Sequence, residues 1–269
     1  MTFTSIHGKP REIRLVSRLG QDRMKPYLVA TDHHAKRALA LYRWNGEASA
    51  SFWQLISVAE VLLRNCLDER IGKWCQDNGG HRDWLLDPEA MPQPLRAEFS
   101  GKVKTFRSYA LNAKGDRDSG GGITVDAPHP RAGHPLANGD VLAQITLGVW
   151  GEHFAPQTPK TLPDETLQYL PDETTYYRRL ELWNDVVSVA FPKDTDPGEL
   201  SHRLNRLKLF RNRIAHHEPI LSVDTERHRN ELLTLLEEID PTIREWYLGN
   251  DPIPEILAKD PRERRKRRR

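Results

Sequence analysis

The chain is poor in sulfur, with two cysteines, Cys66 and Cys75, and three methionines in 269 residues. Two thiols cannot build the repeated framework of a disulfide-stapled domain, so free thiols in a reducing compartment are expected. Nowhere do eighteen apolar residues run together, and the opening MTFTSIHGKPREIRL lacks the apolar stretch of a secretory signal. These absences predict a cytoplasmic protein with no membrane anchor. Good runs of β-branched residues are also missing, as are internal repeats, which removes the usual evidence for a sheet or a solenoid. A hydrophobic fraction of 38%, a charged fraction of 29% and a mean hydropathy of −0.68 describe a globular chain with a polar surface.

Excess charge is nearly absent as well, at +2, but its distribution is uneven. The last octet, RERRKRRR from Arg262, holds seven basic residues and one acidic; of the 40 basic and 38 acidic residues in the chain, 33 and 37 remain elsewhere. The body is therefore slightly acidic, and the basic balance does not mark it as a nucleic-acid platform. Dense like charge repels itself, so the tail reads either as a disordered arm attracted to phosphates or as a solubilising terminus.

What the chain does have is helical spacing. From Asp32, a candidate N-cap, Ala35, Ala38, Leu39, Leu41 and Tyr42 predict a helix that closes at Trp44-Asn45-Gly46, where Asn-Gly marks a turn. Phe52, Leu55, Ile56, Ala59, Leu62, Leu63, Cys66, Leu67 and Ile71 then predict a long helix from Ser49 to about Trp74. On its polar side Glu60 and Arg64 stand four apart, which suits an intrahelical ion pair or support for a polar site on a neighbouring helix. Leu95 to Leu111 predicts a further helix, with Leu95, Phe99, Val103 and Phe106 inward. The polar interval Asn112 to Asn138 reads as a long loop, and its Gly120-Gly121-Gly122 lacks the lysine-serine ending of a phosphate-binding loop.

Val141 to Phe154 predicts a helix or helical turn packed through Trp150 and Phe154, with a short strand as the alternative. Helical spacing resumes from Tyr176 to Phe191. Asp196-Pro197-Gly198-Glu199 is a full helix start: a capping carboxylate, a proline at the first position and a glutamate three residues after the cap. That helix should run until Pro219 ends it. A last helix from about Asp224 to Tyr247 should break or kink at Pro241. The expectation is an all-α antiparallel helical bundle: an irregular leader over 1–31, one helical domain over 32–250 with a Gly-rich loop insertion, and a basic, disordered tail over 251–269.

One stretch concentrates reactive side chains, the octet Arg211-Asn212-Arg213-Ile214-Ala215-His216-His217-Glu218 ahead of Pro219. At about 100° per residue Asn212 and His216 share a helix face, as do Arg213 and His217, while Arg211 and His216 diverge by about 140°. An imidazole titrates near neutral pH and can move a proton, and a guanidinium can hold a phosphate through two parallel hydrogen bonds. Such groups can cleave a phosphodiester without a metal. The competing explanation is structural, since cationic side chains in a final turn also meet the helix dipole favourably. A metal site is disfavoured because His216, His217 and Glu218 are consecutive and cannot converge on one ion from a helix.

Arg211-Asn212 spaced to His216 resembles the Arg-polar-x-x-x-His motif of HEPN-domain ribonucleases, and RNRIAHHEPI resembles the motif of the bacterial Abi-like (abortive infection) proteins. Trp44-Asn45, LISVAEVLLRNCLDERI and ITLGVWGEHF extend the resemblance over roughly residues 32 to 245. It implies a HEPN-type helical bundle, often dimeric, in which motif helices from two subunits border one cleft. The implied activity is metal-independent cleavage of RNA by 2′-hydroxyl transesterification, in phage defence or as the toxin of a toxin–antitoxin pair, with no cofactor. Arg211 would stabilise the scissile phosphate, Asn212 would orient it or His216, and His216 would do acid–base work. Glu60, Asn65, Arg213 and His217 are possible supporting residues. RNA, a second copy of the chain and an antitoxin protein are the implied partners, and a noncatalytic RNA- or protein-binding module is the alternative. The Gly-rich interval and the Arg-rich tail depart from the family pattern.

Overall fold

The computed structural model describes residues 6–119, 129–163 and 165–263. These residues are mostly helical. In chain order the helices are α1 (Pro10–Leu19), α2 (Gln21–Val29), α3 (Ala35–Asp77), α4 (Leu95–Asp118), α5 (Asn138–Leu142) and α6 (Leu147–Phe154). They continue with α7 (Glu173–Leu182), α8 (Pro197–Ala215), α9 (Thr225–Ile239), α10 (Pro241–Leu248) and α11 (Ile253–Leu257). Two short strands, β1 (Lys160–Thr161) and β2 (Leu167–Gln168), pair antiparallel.

The chain divides into two compact units, one of Met1–Val58 with Leu209–Arg269 and the other Ala59–Lys208. α3 and α8 each supply residues to both units. The first unit also takes in the segments expected to be an irregular leader and a disordered tail. In the segment expected to be an irregular leader, Pro10 and Gly20 mark helix ends and Pro26 lies inside α2. Pro10 opens α1, where its missing N–H costs nothing, and Gly20 separates α1 from α2 at φ 94°, a conformation that glycine adopts without strain. Met24, Tyr27 and Leu28 are buried at helical spacing.

The expected Asn-Gly turn is absent, and α3 continues through Asn45 and Gly46. Asn45 is buried, and its Oδ1 accepts the backbone N–H of Ile220 at 2.8 Å. A long-range partner thus replaces the local backbone bond by which asparagine makes a turn. Beside it, the Trp44 indole N–H donates to the Ile256 carbonyl at 2.8 Å, and the Arg262 guanidinium lies 5.7 Å over the Trp44 ring. Arg262 also chelates Asp260 and donates to the Leu221 carbonyl at 2.7 Å. These bonds, with Ile253 fully buried, hold the expected tail in place as far as residue 263. The last six residues, and the Gly120-Gly121-Gly122 triplet, lie outside the described residues.

The second unit is built around aromatic packing. Phe99 of α4 lies 4.9 Å from Phe154 and 6.4 Å from Trp150, both of α6, and 5.8 Å from Trp84. Trp84, Phe99, Trp150 and Phe154 are all essentially inaccessible, and fully burying one such side chain is worth roughly 2–3 kcal/mol. The alternative of a strand over 141–154 therefore gives way to two short helices. α4 keeps its inward residues but runs to Asp118, so the polar interval begins later than its composition suggests. α7 starts at Asp172, whose carboxylate accepts the Thr175 N–H at 2.9 Å, and widens into a π-turn over Trp183–Val187. At Pro241 the chain breaks into separate helices, with Asp240 capping the second. Both cysteines are free thiols, and burial pushes that of Cys75 up to about 12.

Candidate functional site

α8 begins as its sequence predicts, with Asp196 Oδ1 accepting the Glu199 N–H at 2.7 Å. Its end differs from expectation. The last helical residue is Ala215, and His216 and His217 form the closing turn. The Glu218 N–H bonds back to the Arg213 carbonyl at 2.9 Å and the His217 N–H to the Ile214 carbonyl at 3.0 Å. This pair of bonds satisfies two carbonyls that a helix end otherwise leaves open, and it needs a left-handed residue where glycine is the usual choice. Here that residue is His217, at φ 56°. Left-handed geometry costs a side-chain-bearing residue about 1–2 kcal/mol. Arg23 of α2 offsets part of this by donating to the His217 carbonyl at 2.6 Å, a cation at the negative end of the helix dipole.

The octet side chains separate into two groups. The His216 N–H still bonds to the Asn212 carbonyl at 2.9 Å, so Asn212 and His216 stay one turn apart on one face, and His216 is exposed. Arg211 is half-buried, with its guanidinium carbon 5.5 Å over the Trp53 ring and Nη1 donating to Asn212 Oδ1 at 3.4 Å. Arg213 goes elsewhere: its Nη1 donates to the Pro219 carbonyl at 3.2 Å and its Nε lies 3.8 Å from Glu218. It therefore braces the turn, and the reversal at His217 removes the common face that helical spacing predicts for Arg213 and His217.

His217 instead borders a cavity of about 530 Å³, with Tyr27, Tyr42, Asn45, Trp53 and Ile214 in its wall. Trp53 is 41% exposed and presents its ring to solvent, while Tyr42 packs edge-on against the buried Tyr27. The Tyr27 hydroxyl is buried without a hydrogen-bond partner among the described residues. Burial, then the neighbouring Tyr42, push its pKa up to about 12 against the opposing pull of Arg23. Tyr27 is thus a hydrogen-bond donor at neutral pH, not a base. The wall thus offers the Trp53 ring for stacking and the His217 imidazole for proton transfer, with the Arg211 guanidinium packed against the same Trp53 ring.

Two of the expected supporting residues belong to the other unit. Glu60 accepts the Leu147 N–H at 3.3 Å, placing a carboxylate at the N-terminus of α6, where the helix dipole favours it. Asn65 is exposed on α3. Arg23 and Tyr27 are the residues that sequence reasoning missed, because Pro26 and Gly20 mask their segment. The spacing of Met24, Tyr27 and Leu28 was the available signal.

Among the described residues, no three His, Cys, Asp or Glu side chains gather as a metal site requires, and no helix is long and apolar enough to cross a membrane. Comparison of the chain with protein-family models, with curated proteins and with solved structures finds no match in any of the three.

Proposed function

We propose that the chain is a metal-independent endoribonuclease of the HEPN type, acting in phage defence or as the toxin of a toxin–antitoxin pair. The observation that carries this reading is the grouping of Arg211, Asn212, His216 and His217 at one helix end, beside a cavity whose wall includes Trp53, the ring beneath Arg211. RNA cleavage by transesterification needs three services. A base takes the 2′-hydroxyl proton as that oxygen attacks phosphorus, an acid protonates the departing 5′-oxygen, and a cation meets the charge on the phosphoryl oxygens. Arg211 supplies the cation. His216, exposed and reached by solvent, supplies a proton transfer, and Asn212 orients Arg211 through its amide oxygen. Aromatic walls suit an unpaired nucleobase, since stacking contributes about 1–3 kcal/mol per base without sequence preference.

Two proton transfers are more than one His216 performs at once. His217 or a second copy of the chain supplies the other, and the homodimer belongs to this proposal. Cleavage of RNA in EDTA tests the reading: His216→Ala and Arg211→Ala should each lose about 10²–10⁴-fold in rate, and wild-type products should end in 2′,3′-cyclic phosphate. Equal cleavage by the three proteins would exclude these roles. A noncatalytic binding module is favoured by one feature, the exposed Trp53 carrying a cation on its face. Salt-sensitive RNA binding with no new RNA ends would establish that alternative.

A further inference from the structure

A second cavity, within the unit Ala59–Lys208, is independent of that reading. It encloses about 350 Å³, with Gln157, Arg179, Ser201, Asn205 and Lys208 as polar lining and Leu170 and Pro171 as an apolar wall. Its floor holds an unusual group. Arg179 is only 6% exposed, and its Nε donates to Glu98 at 2.7 Å. Among the described residues Glu98 is the one partner of this guanidinium, which leaves the two Nη groups to the cavity. A buried arginine committed on one edge only is expensive to maintain without a second anion.

Charge balance points the same way. Glu98 is shared among Arg179 at 2.7 Å, His153 at 2.7 Å and Arg178 at 3.4 Å, so one carboxylate faces two permanent cations. Lys208 adds a third, with no carboxylate partner among the described residues. The carboxylate in the lining itself, Glu152, is half-exposed. Positive charge is left over. The backbone is also shaped to hold that lysine: a β-carbon at Gly148 would lie 2.6 Å from Lys208 Cδ, and one at Gly151 would lie 2.8 Å from Leu204 Cβ. Two glycines one helical turn apart on α6 thus let the α8 residues Leu204 and Lys208 come close, and the Ser201 hydroxyl donates to the Gly151 carbonyl at 3.3 Å across the same contact.

We propose that this cavity binds a small phosphate monoester of mononucleotide size, its phosphate between Arg179 and Lys208 and its flat apolar portion against Leu170 and Pro171. A guanidinium edge, an ammonium and the amides of Gln157 and Asn205 offer more donors than a carboxylate's two oxygens use, whereas a phosphate's three terminal oxygens engage them. The volume is at the small end for ligand pockets and suits a ligand of mononucleotide size.

Calorimetric titration of the full chain at fixed ionic strength tests this with three probes: inorganic phosphate, adenosine monophosphate and adenosine. Adenosine monophosphate should bind saturably, phosphate should compete with it, and adenosine should bind at least about tenfold more weakly. Lys208→Ala should weaken the nucleotide about tenfold and Lys208→Glu should abolish its binding, both with unchanged circular dichroism. Arg211→Ala and His217→Ala should leave it unaffected. The proposal is overturned by an absence of saturable binding to phosphate and nucleotide, by equal affinity for adenosine, by full affinity in Lys208→Glu, or by loss of binding in the Arg211 or His217 variants.

Discussion

Arg179 and His153 each lie 2.7 Å from the Glu98 carboxylate and are buried with it, whereas Arg211 meets a tryptophan ring and an amide oxygen, and His216 and His217 stand exposed in a turn. The same residue types thus serve opposite ends in the two units. A carboxylate at hydrogen-bond distance commits a guanidinium and an imidazole to holding helices together. In the first unit a π-face and an amide oxygen are among the groups that position an arginine, and both leave it able to turn toward an incoming anion. Left-handed non-glycine backbone occurs in both units, at Asp32, His33 and His217 in the first and at Glu165 in the second. The left-handed non-glycine residue in α8's closing turn is His217, at the cavity of the first unit, where tolerated strain is a pointer to function.

The sharpest way to break this comparison is to remove the shared anion. Glu98→Ala leaves His153, Arg178 and Arg179 without their shared counter-charge and should destabilise the protein by about 3–5 kcal/mol in urea denaturation, against at most about 1 kcal/mol for His216→Ala at its exposed turn. Similar losses for the two variants would erase the distinction. Next in size, Asn45→Ala strands the buried Ile220 N–H and should cost about 1–3 kcal/mol by the same measurement, while Asn45→Asp, which keeps the acceptor, should cost less. His217→Gly sharpens the comparison from the other side: it relieves left-handed strain and should raise stability by about 1 kcal/mol while slowing RNA cleavage. A destabilised His217→Gly would show that the imidazole is held by contacts stronger than the strain.

The smallest effect is on pH dependence. Burial works to raise the Glu98 carboxyl, but hydrogen bonds from His153 and Arg179 outweigh it and hold the group below the ordinary carboxylate range. A carboxyl depressed in the folded state binds its proton more readily once unfolded. Its contribution is therefore complete above the unfolded value of about 4.3 and is lost as pH falls below it. Thermal denaturation between about pH 3 and 6 should show that acid limb in wild type and a shallower one in Glu98→Gln.

Much of the helical architecture was legible because apolar spacing is a local property. Phe52 through Ile71, Leu95 through Phe106 and the capped start at Asp196 all formed as their patterns require. The octet was legible as a concentration of chemistry but not as a geometry, since helical angles assume a helix that stops at Ala215. Asn45-Gly46 misled because its turn preference holds only while the asparagine side chain bonds locally. Pro10, Gly20 and Pro26 misled because a breaker within a helix and a punctuation mark between helices are the same residue in a sequence.

By itself the amino-acid sequence determined that this chain is mostly helical, where several helices begin, and that arginine, asparagine and histidine gather ahead of Pro219. Tertiary structure decided which of those groups act together. Asn45 finds Ile220 across 175 residues, and Arg23 finds the His217 carbonyl across 194. Periodicity specifies which face of a helix leaves water, but a polar side chain is assigned its role by the partner that folding delivers. That partner is set by the packing of remote segments and leaves no trace in local spacing.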